Sequence, residues 1–206
     1  MPGRSVDDER LAERLLDVFR EVGFEGASLS RISEATGLGR SSLYHHFPRG
    51  KEQMAERVAE RVAERFAGEV LAAAGVEEPL VDRIEAIAEA LDGFYEGGRR
   101  SCVLDTLTVG TPGEATSGCL RAAARAWIGV FASLAGEAGV PARLARERAE
   151  DAVCAIEGAL VVARATGDTG PFRRALATLG ERLTARPDDP AAPATGGARP
   201  TRRQSR

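Results

Sequence analysis

Residues 28 to 51, SLSRISEATGLGRSSLYHHFPRGK, constrain this chain more than any others. Their spacing predicts two short helices joined by a tight turn, then the start of a third. Ser28 suits the first N-cap, because its hydroxyl accepts from an orphan backbone N–H. Leu29, Ile32 and Ala35 share one helical face. Gly37 stops that helix, since glycine takes the left-handed conformation without a Cβ penalty. A second helix over 40–47 turns Leu43 and Phe47 inward. Pro48 ends it, because the residue before a proline avoids helical geometry.

This is a helix-turn-helix pattern. Arg40, Ser41, Ser42, Tyr44 and His45 take the outward positions of its second helix, and His46 is expected to pack against the next helix. No acidic residue lies between Ala35 and Lys51, whereas Arg40, Arg49 and Lys51 fall at or near the motif. Donors, small hydroxyls and one aromatic plane suit a helix lying in a DNA major groove. A solvated helical hairpin is the alternative reading of so short a polar face. Lys51 opens the third helix, where a cation opposes the helix dipole by about 0.3–1 kcal/mol. A phosphate there reverses the sign, because the helix N–H groups and the ammonium both face it.

The residues GLGRSSLYHHFPRGKEQM resemble the helix-turn-helix of the TetR family of bacterial regulators. Gly37, Leu38, Ser42, Leu43, Tyr44, His46, Phe47 and Lys51 fall on that family's pattern, and the likeness runs over residues 7–66. Gly39 departs from it, standing where the family has Ser or Thr as N-cap; glycine loses only a few tenths of a kcal/mol there. The Pro-Arg-Gly-Lys link is one residue longer than the commonest form. It is similar to the LmrA/YxaF-like branch, in which a glycine precedes the lysine. The resemblance implies an all-α fold of about nine helices: an N-terminal three-helix DNA-binding domain and a C-terminal domain for ligand binding and dimerisation. It implies a double-stranded DNA operator contacted by Ser28, Arg40, Ser41, Ser42, Tyr44, His45 and Lys51, with Lys51 on phosphate. It implies neither enzyme activity nor a cofactor or metal.

The net charge of −3 argues against bulk, sequence-blind binding to nucleic acid. It leaves local binding open, because the field at a groove is set by charges within about 8–10 Å at physiological salt. No stretch is apolar enough to span a bilayer, and the N-terminus lacks the apolar run of a signal peptide. A cytoplasmic protein is expected. The three cysteines, Cys102, Cys119 and Cys154, are widely spaced and form no zinc or redox motif.

Along the chain, 1–6 reads as a flexible arm and 7–66 as the DNA-binding domain. Helix one spans 7–22 on the stripe Leu11, Leu15, Val18, Phe19 and Val22, and Gly23 ends it. The helix from about residue 50 to 74 contains AERV-AERV-AERF. A four-residue repeat advances about 400°, so Val58, Val62 and Phe66 drift around the helix. That wrapped stripe lets one helix pack on two domains, with the boundary near Phe66. Residues 67–185 form the second domain, with stripes from Leu80 to Tyr95, from about 114 to 138, from 141 to 166 and from 169 to 185. Residues 102–109 read as a short helix or an apolar loop. From 186 to 206, Pro, Gly and small residues leave nothing to bury, which reads as a disordered tail.

The helices at 142–166 and 169–185 carry small and apolar residues suited to a homodimeric four-helix bundle. The alternative is that both faces are used inside the monomer. A pocket for a small hydrophobic or amphipathic effector is expected among Phe66, Leu91, Phe94, Tyr95, Cys102, Leu107, Trp127 and Phe131. Two other function classes stay open: a helix-turn-helix used as a protein-interaction module, and a small helical enzyme using Cys102 with His45 or His46.

Overall fold

Glycine, proline and small polar residues cut this alanine-, leucine- and arginine-rich chain into short and long helices. A computed structural model describes residues 6–185. The expected arm and tail lie outside these, save Val6, which opens the first helix. The described residues form α1 (Val6–Gly26), α2 (Leu29–Thr36), α3 (Arg40–His46) and α4 (Lys51–Glu69). After a 3-10 turn at Leu71–Gly75 come α5 (Leu80–Phe94), α6 (Val103–Thr108), α7 (Glu114–Glu137), α8 (Ala142–Thr166), α9 (Gly170–Ala177) and α10 (Leu179–Thr184). No strand occurs among the described residues. No described helix is long and apolar enough to cross a membrane.

Two apolar cores result. The front core gathers Leu15, Phe19, Ile32, Leu43, Met54 and Val58 from α1 to α4. The rear core gathers Phe66, Ile87, Leu91, Phe94, Trp127, Phe131, Ile156, Phe172 and Leu183 from α4 to α10. Burying one such side chain contributes about 1.5–3 kcal/mol relative to leaving it in water. The drifting stripe of α4 serves both: Met54, Ala55, Val58 and Ala59 face the front core, Phe66 faces the rear, and Val62 packs against each. The packing also crosses the expected boundary near Phe66, because Val103 and Leu107 of α6 and Leu120 of α7 join the front core.

Several helix ends differ from expectation. The helix expected to reach residue 74 ends at Glu69, and the chain tightens into the 3-10 turn. That turn keeps Leu71, Ala73 and Ala74 against the rear core, and Arg83 donates to the Ala74 carbonyl at 2.8 Å. The last expected helix is two. Thr178 lies between α9 and α10 with φ −99° and ψ 6°, its N–H on the Arg174 and Leu176 carbonyls, and its hydroxyl donates to the Arg174 carbonyl at 3.0 Å. This division makes ten α-helices among the described residues, where about nine were expected for the chain. Gly23, expected to end the first helix, breaks its geometry with φ +68°, and the helix resumes beyond it to Gly26. A Cβ at Gly23 would lie 3.3 Å from the Thr106 carbonyl, so α6 sits close against α1.

A candidate nucleic-acid interface and the rear interior

The first helix of the motif is fixed at both ends by local hydrogen bonds. Ser28 caps α2 by accepting from the Arg31 N–H at 3.3 Å. At the other end Gly37 is left-handed, and its N–H donates to the Ser33 carbonyl. Hydroxyls knit the turn: Thr36 donates to the Ile32 carbonyl at 2.7 Å, and Ser33 donates to the Leu38 carbonyl at 2.6 Å. The guanidinium of Arg14, from α1, donates to the carbonyls of both Ala35 and Thr36 at 3.2 Å. It satisfies carbonyls that helix geometry leaves orphaned, and its charge complements the negative end of α2.

α3 follows from Gly39, which caps without a side-chain bond. Leu43 is its buried residue, with Phe47 buried just beyond its end. Arg40, Ser41, Ser42, Tyr44, His45 and His46 are all exposed. This corrects the expectation that His46 packs against the next helix; its ring neighbours are His45 and Phe47. Tyr44 is 47 % exposed. Its ring lies beside Gly50, where a Cβ would stand 3.5 Å from the ring edge. Gly50 also holds φ +66° and ψ −140°, a conformation essentially reserved for glycine. The backbone conformation therefore places a glycine in the Pro-Arg-Gly-Lys link, while the Tyr44 ring leaves ordinary contact distance there.

The cations of this face are oriented by neighbours. Arg40 reaches back to α2, donating to the Ser30 hydroxyl at 3.1 Å. Arg49 turns toward α4 and pairs with Glu56. The Lys51 ammonium donates to the Phe24 carbonyl at 2.9 Å and lies 4.2 Å from the centre of the Phe24 ring. Lys51 thus ties the start of α4 to the corner between α1 and α2, a role the sequence did not announce.

In the rear half the expected pocket residues divide. Phe66, Phe94, Tyr95, Cys102 and Trp127 line one small gap of about 30 Å³, together with Leu104 and Leu120. That is room for roughly one water. The rings meet edge to face, with Phe66 and Trp127 centroids 4.8 Å apart and Phe66 and Phe94 5.3 Å apart. Leu91 and Phe131 are fully buried in the rear core outside that gap. Leu107 belongs to the front core, a correction that follows from α6 packing on α1. The larger space lies one step away. Leu104, Asp105 and Thr108 of α6, Gly110 and Pro112 after it, Leu120 and Ala124 of α7, and Glu157 and Val161 of α8 line a cleft of about 570 Å³.

A buried polar chain runs beside both spaces. The Tyr95 hydroxyl donates to the Cys102 sulfur at 3.3 Å, and the Cys102 thiol lies within hydrogen-bonding reach of the Glu157 carboxyl. Burial, then the charge of Glu157, pushes the Cys102 thiol well above its usual range. Burial likewise pushes the Glu157 carboxyl up to about 7. A thiol so strongly protonated is a poor nucleophile. His45 and His46 lie on the exposed α3, whereas the partners of Cys102 are Tyr95, Leu104 and Glu157, so the structure does not assemble the Cys–His pair that the enzyme alternative needs. Among the described residues no group of His, Cys, Asp and Glu is arranged to hold a metal.

α6 is pinned on two sides. Arg20 of α1 donates to the Ser101 carbonyl at 3.1 Å, just before α6, and Glu25 accepts from both the N–H and hydroxyl of Thr111 at 3.2 Å, just after it. Burial, with Arg100 nearby, lowers the Arg20 guanidinium to about 10. On the other side Asp105 pairs with Arg164 of α8 at 2.5 Å.

Comparison with known proteins agrees with this geometry. The family model for bacterial regulatory proteins of the tetR family matches residues 13–58. That for the C-terminal domain of LmrA/YxaF-like transcriptional regulators matches residues 78–178. An uncharacterised HTH-type transcriptional regulator of Mycobacterium tuberculosis is 27 % identical over 180 residues, covering 80 % of this chain and 87 % of that protein. The HTH-type transcriptional regulator LmrA of Bacillus subtilis is 38 % identical over 47 residues, 23 % of this chain and 25 % of its own length. A TetR transcriptional regulator from Legionella pneumophila has a crystal structure that superposes with a TM-score of 0.74 at 16 % identity, over 88 % of this chain and 98 % of that one.

Proposed function

The chain belongs to the TetR family of DNA-binding transcriptional regulators, in its LmrA/YxaF-like branch, and from that premise we propose that it is a repressor reading a pseudo-palindromic operator as a homodimer. The observation that carries this reading is the composition of α3. One buried leucine holds the helix, and its exposed positions carry a guanidinium, hydroxyls, a phenol and imidazoles. Ser41, Ser42, Tyr44 and His45 meet base edges or nearby phosphates in the major groove. Arg40, Lys51 and the capped start of α2 at Ser28 hold the phosphate backbone, Lys51 through the ammonium protons that Phe24 leaves unused.

Pairing of two copies runs through α8 with α9 and α10. Cys154, Gly158, Val161 and Val162 are exposed along α8, and Val161 and Val162 are among the large apolar side chains left in solvent. A twofold bundle of these helices covers them and sets the spacing of the two α3 helices. A small hydrophobic or amphipathic effector enters among the rear helices. It releases DNA by preferring the arrangement that fits the operator poorly. Two elements support such coupling: α4, which runs through both cores, and α6, whose two flanks are bonded to Arg20 and Glu25 of α1.

A gel shift with the DNA upstream of the chain's own gene tests the reading. Wild type retards that DNA as a dimer, and Tyr44→Ala and Lys51→Ala abolish the shift while remaining folded and dimeric. Retardation by either variant equal to wild type would sink the site assignment.

A further inference from the structure

The cleft between α6, α7 and α8 has the size of a small-molecule site, about 570 Å³. Its walls are mostly apolar, from Leu104, Leu120, Ala124 and Val161. Three of its charged residues are Asp105, Arg121 and Glu157. Two of them are already neutralised within the protein: Asp105 by Arg164 at 2.5 Å and Arg121 by Glu114 at 2.5 Å. Glu157 is different. Its Oε1 is shut off from solvent and has no hydrogen-bond partner. The groups that face it from neighbouring elements are the Cys102 thiol and the Asp105 carboxylate, neither of them a cation. A buried acceptor left open in this way is unfavourable unless something binds it.

Beyond Leu104 and Leu120, which border both spaces, lies the gap walled by Phe66, Phe94, Tyr95 and Trp127. The Trp127 Nε1–H is also buried without a partner. One carboxyl with an unmet oxygen at the edge of a mostly apolar cleft is a chemistry suited to positive charge on an apolar frame, since a carboxylate neutralises a cation. We infer that this cleft takes an amphipathic organic cation, with Glu157 as its counter-charge and Leu104, Leu120, Ala124 and Val161 as the wall for its apolar frame. The inference rests on the rear helices holding an effector at all.

Fluorescence anisotropy of the full-length protein tests it with two dyes: rhodamine 6G, a rigid aromatic cation, and Nile red, which is uncharged. Wild type binds both saturably. Glu157→Gln keeps Nile red but binds rhodamine 6G at least about tenfold more weakly, the loss expected when one partner of a buried charge pair is neutralised. Glu157→Asp recovers part of the cation affinity. Ala124→Trp keeps the carboxyl but fills the cleft, and it loses both dyes, which guards against a folding effect of the change at Glu157. Equal rhodamine 6G affinity in wild type and Glu157→Gln overturns the inference, as does wild type that binds Nile red alone. If wild type shifts operator DNA yet binds neither dye, the cation site falls and the DNA reading stands. If wild type shifts no operator DNA, the underlying functional reading falls first.

Discussion

The front and rear halves place their polar chemistry on opposite sides of their cores. In the front unit the core cluster is apolar, and the groups proposed to meet DNA stand on the surface of α3, a helix held by Leu43. In the rear unit the surface arginines and glutamates pair with each other, as in Arg143 with Glu147 and Arg146 with Glu150. There Glu157 Oε1 and Trp127 Nε1, two of the buried polar atoms without a hydrogen-bond partner, sit inside. A partner as large and charged as DNA is met by an exposed face over a plain core. On the function proposed above, a small guest would be met by an interior left polar at one point. Changes at the front face should therefore affect function with little effect on stability, whereas changes at the rear interior should move both.

The largest effect expected is from Leu43→Ala, at about 2–5 kcal/mol of destabilisation in urea unfolding, because α3 loses its anchor. A loss under 1 kcal/mol would mean α3 is held by its ends. The next is Glu157→Gln, and it carries a pH signature. Burial raises the folded-state carboxyl from 4.5 to about 7. Between those values the folded chain binds more protons than the unfolded one, so the contribution of Glu157 to stability falls as pH rises from about 4.5 to about 7 and is level above that. The glutamine variant lacks this slope and is up to about 3.5 kcal/mol more stable than wild type at pH 8, from the rise of 4.5 to about 7 at roughly 1.4 kcal/mol per pKa unit. Identical melting curves for the two from pH 5 to 8 would break the contrast at its rear end. Arg14→Ala is smaller, about 1 kcal/mol, through loss of the α2 cap; hydrogen exchange should speed in α2 before it does in α5. The smallest is Tyr44→Ala, within about 0.5 kcal/mol of wild type on denaturation, while its operator affinity collapses in the same preparation.

How far the sequence revealed this molecule depended on the range of the interaction. The Ser28 cap, the left-handed Gly37, the Gly23 break and the wrapped stripe of α4 all rest on residues a few places apart, and spacing made them legible. Arg14 on the α2 carbonyls spans more than twenty positions, and Lys51 on the Phe24 carbonyl spans a similar distance. No local pattern announces either. The sole cue at Arg14 was a cation on the margin of the α1 stripe. Leu107, expected in the rear pocket, is turned by α6 forward onto α1, a packing choice that spacing within 102–109 does not encode. The cleft was missed for a related reason. Aromatic residues mark where a core is densest, and the open room lies beside smaller ones, Ala124 and Gly158. Glu157 gave a weak signal: a lone acid amid the small and aliphatic run from Ala152 to Val162.

Since α4 contributes Met54 and Val58 to one core and Phe66 to the other, with Val62 touching both, neither half can melt without tearing a helix the other depends on. Calorimetry should record a single heat-absorption peak whose van't Hoff and calorimetric enthalpies agree. A guest that stiffens the rear should raise the melting temperature of the DNA-reading front with it.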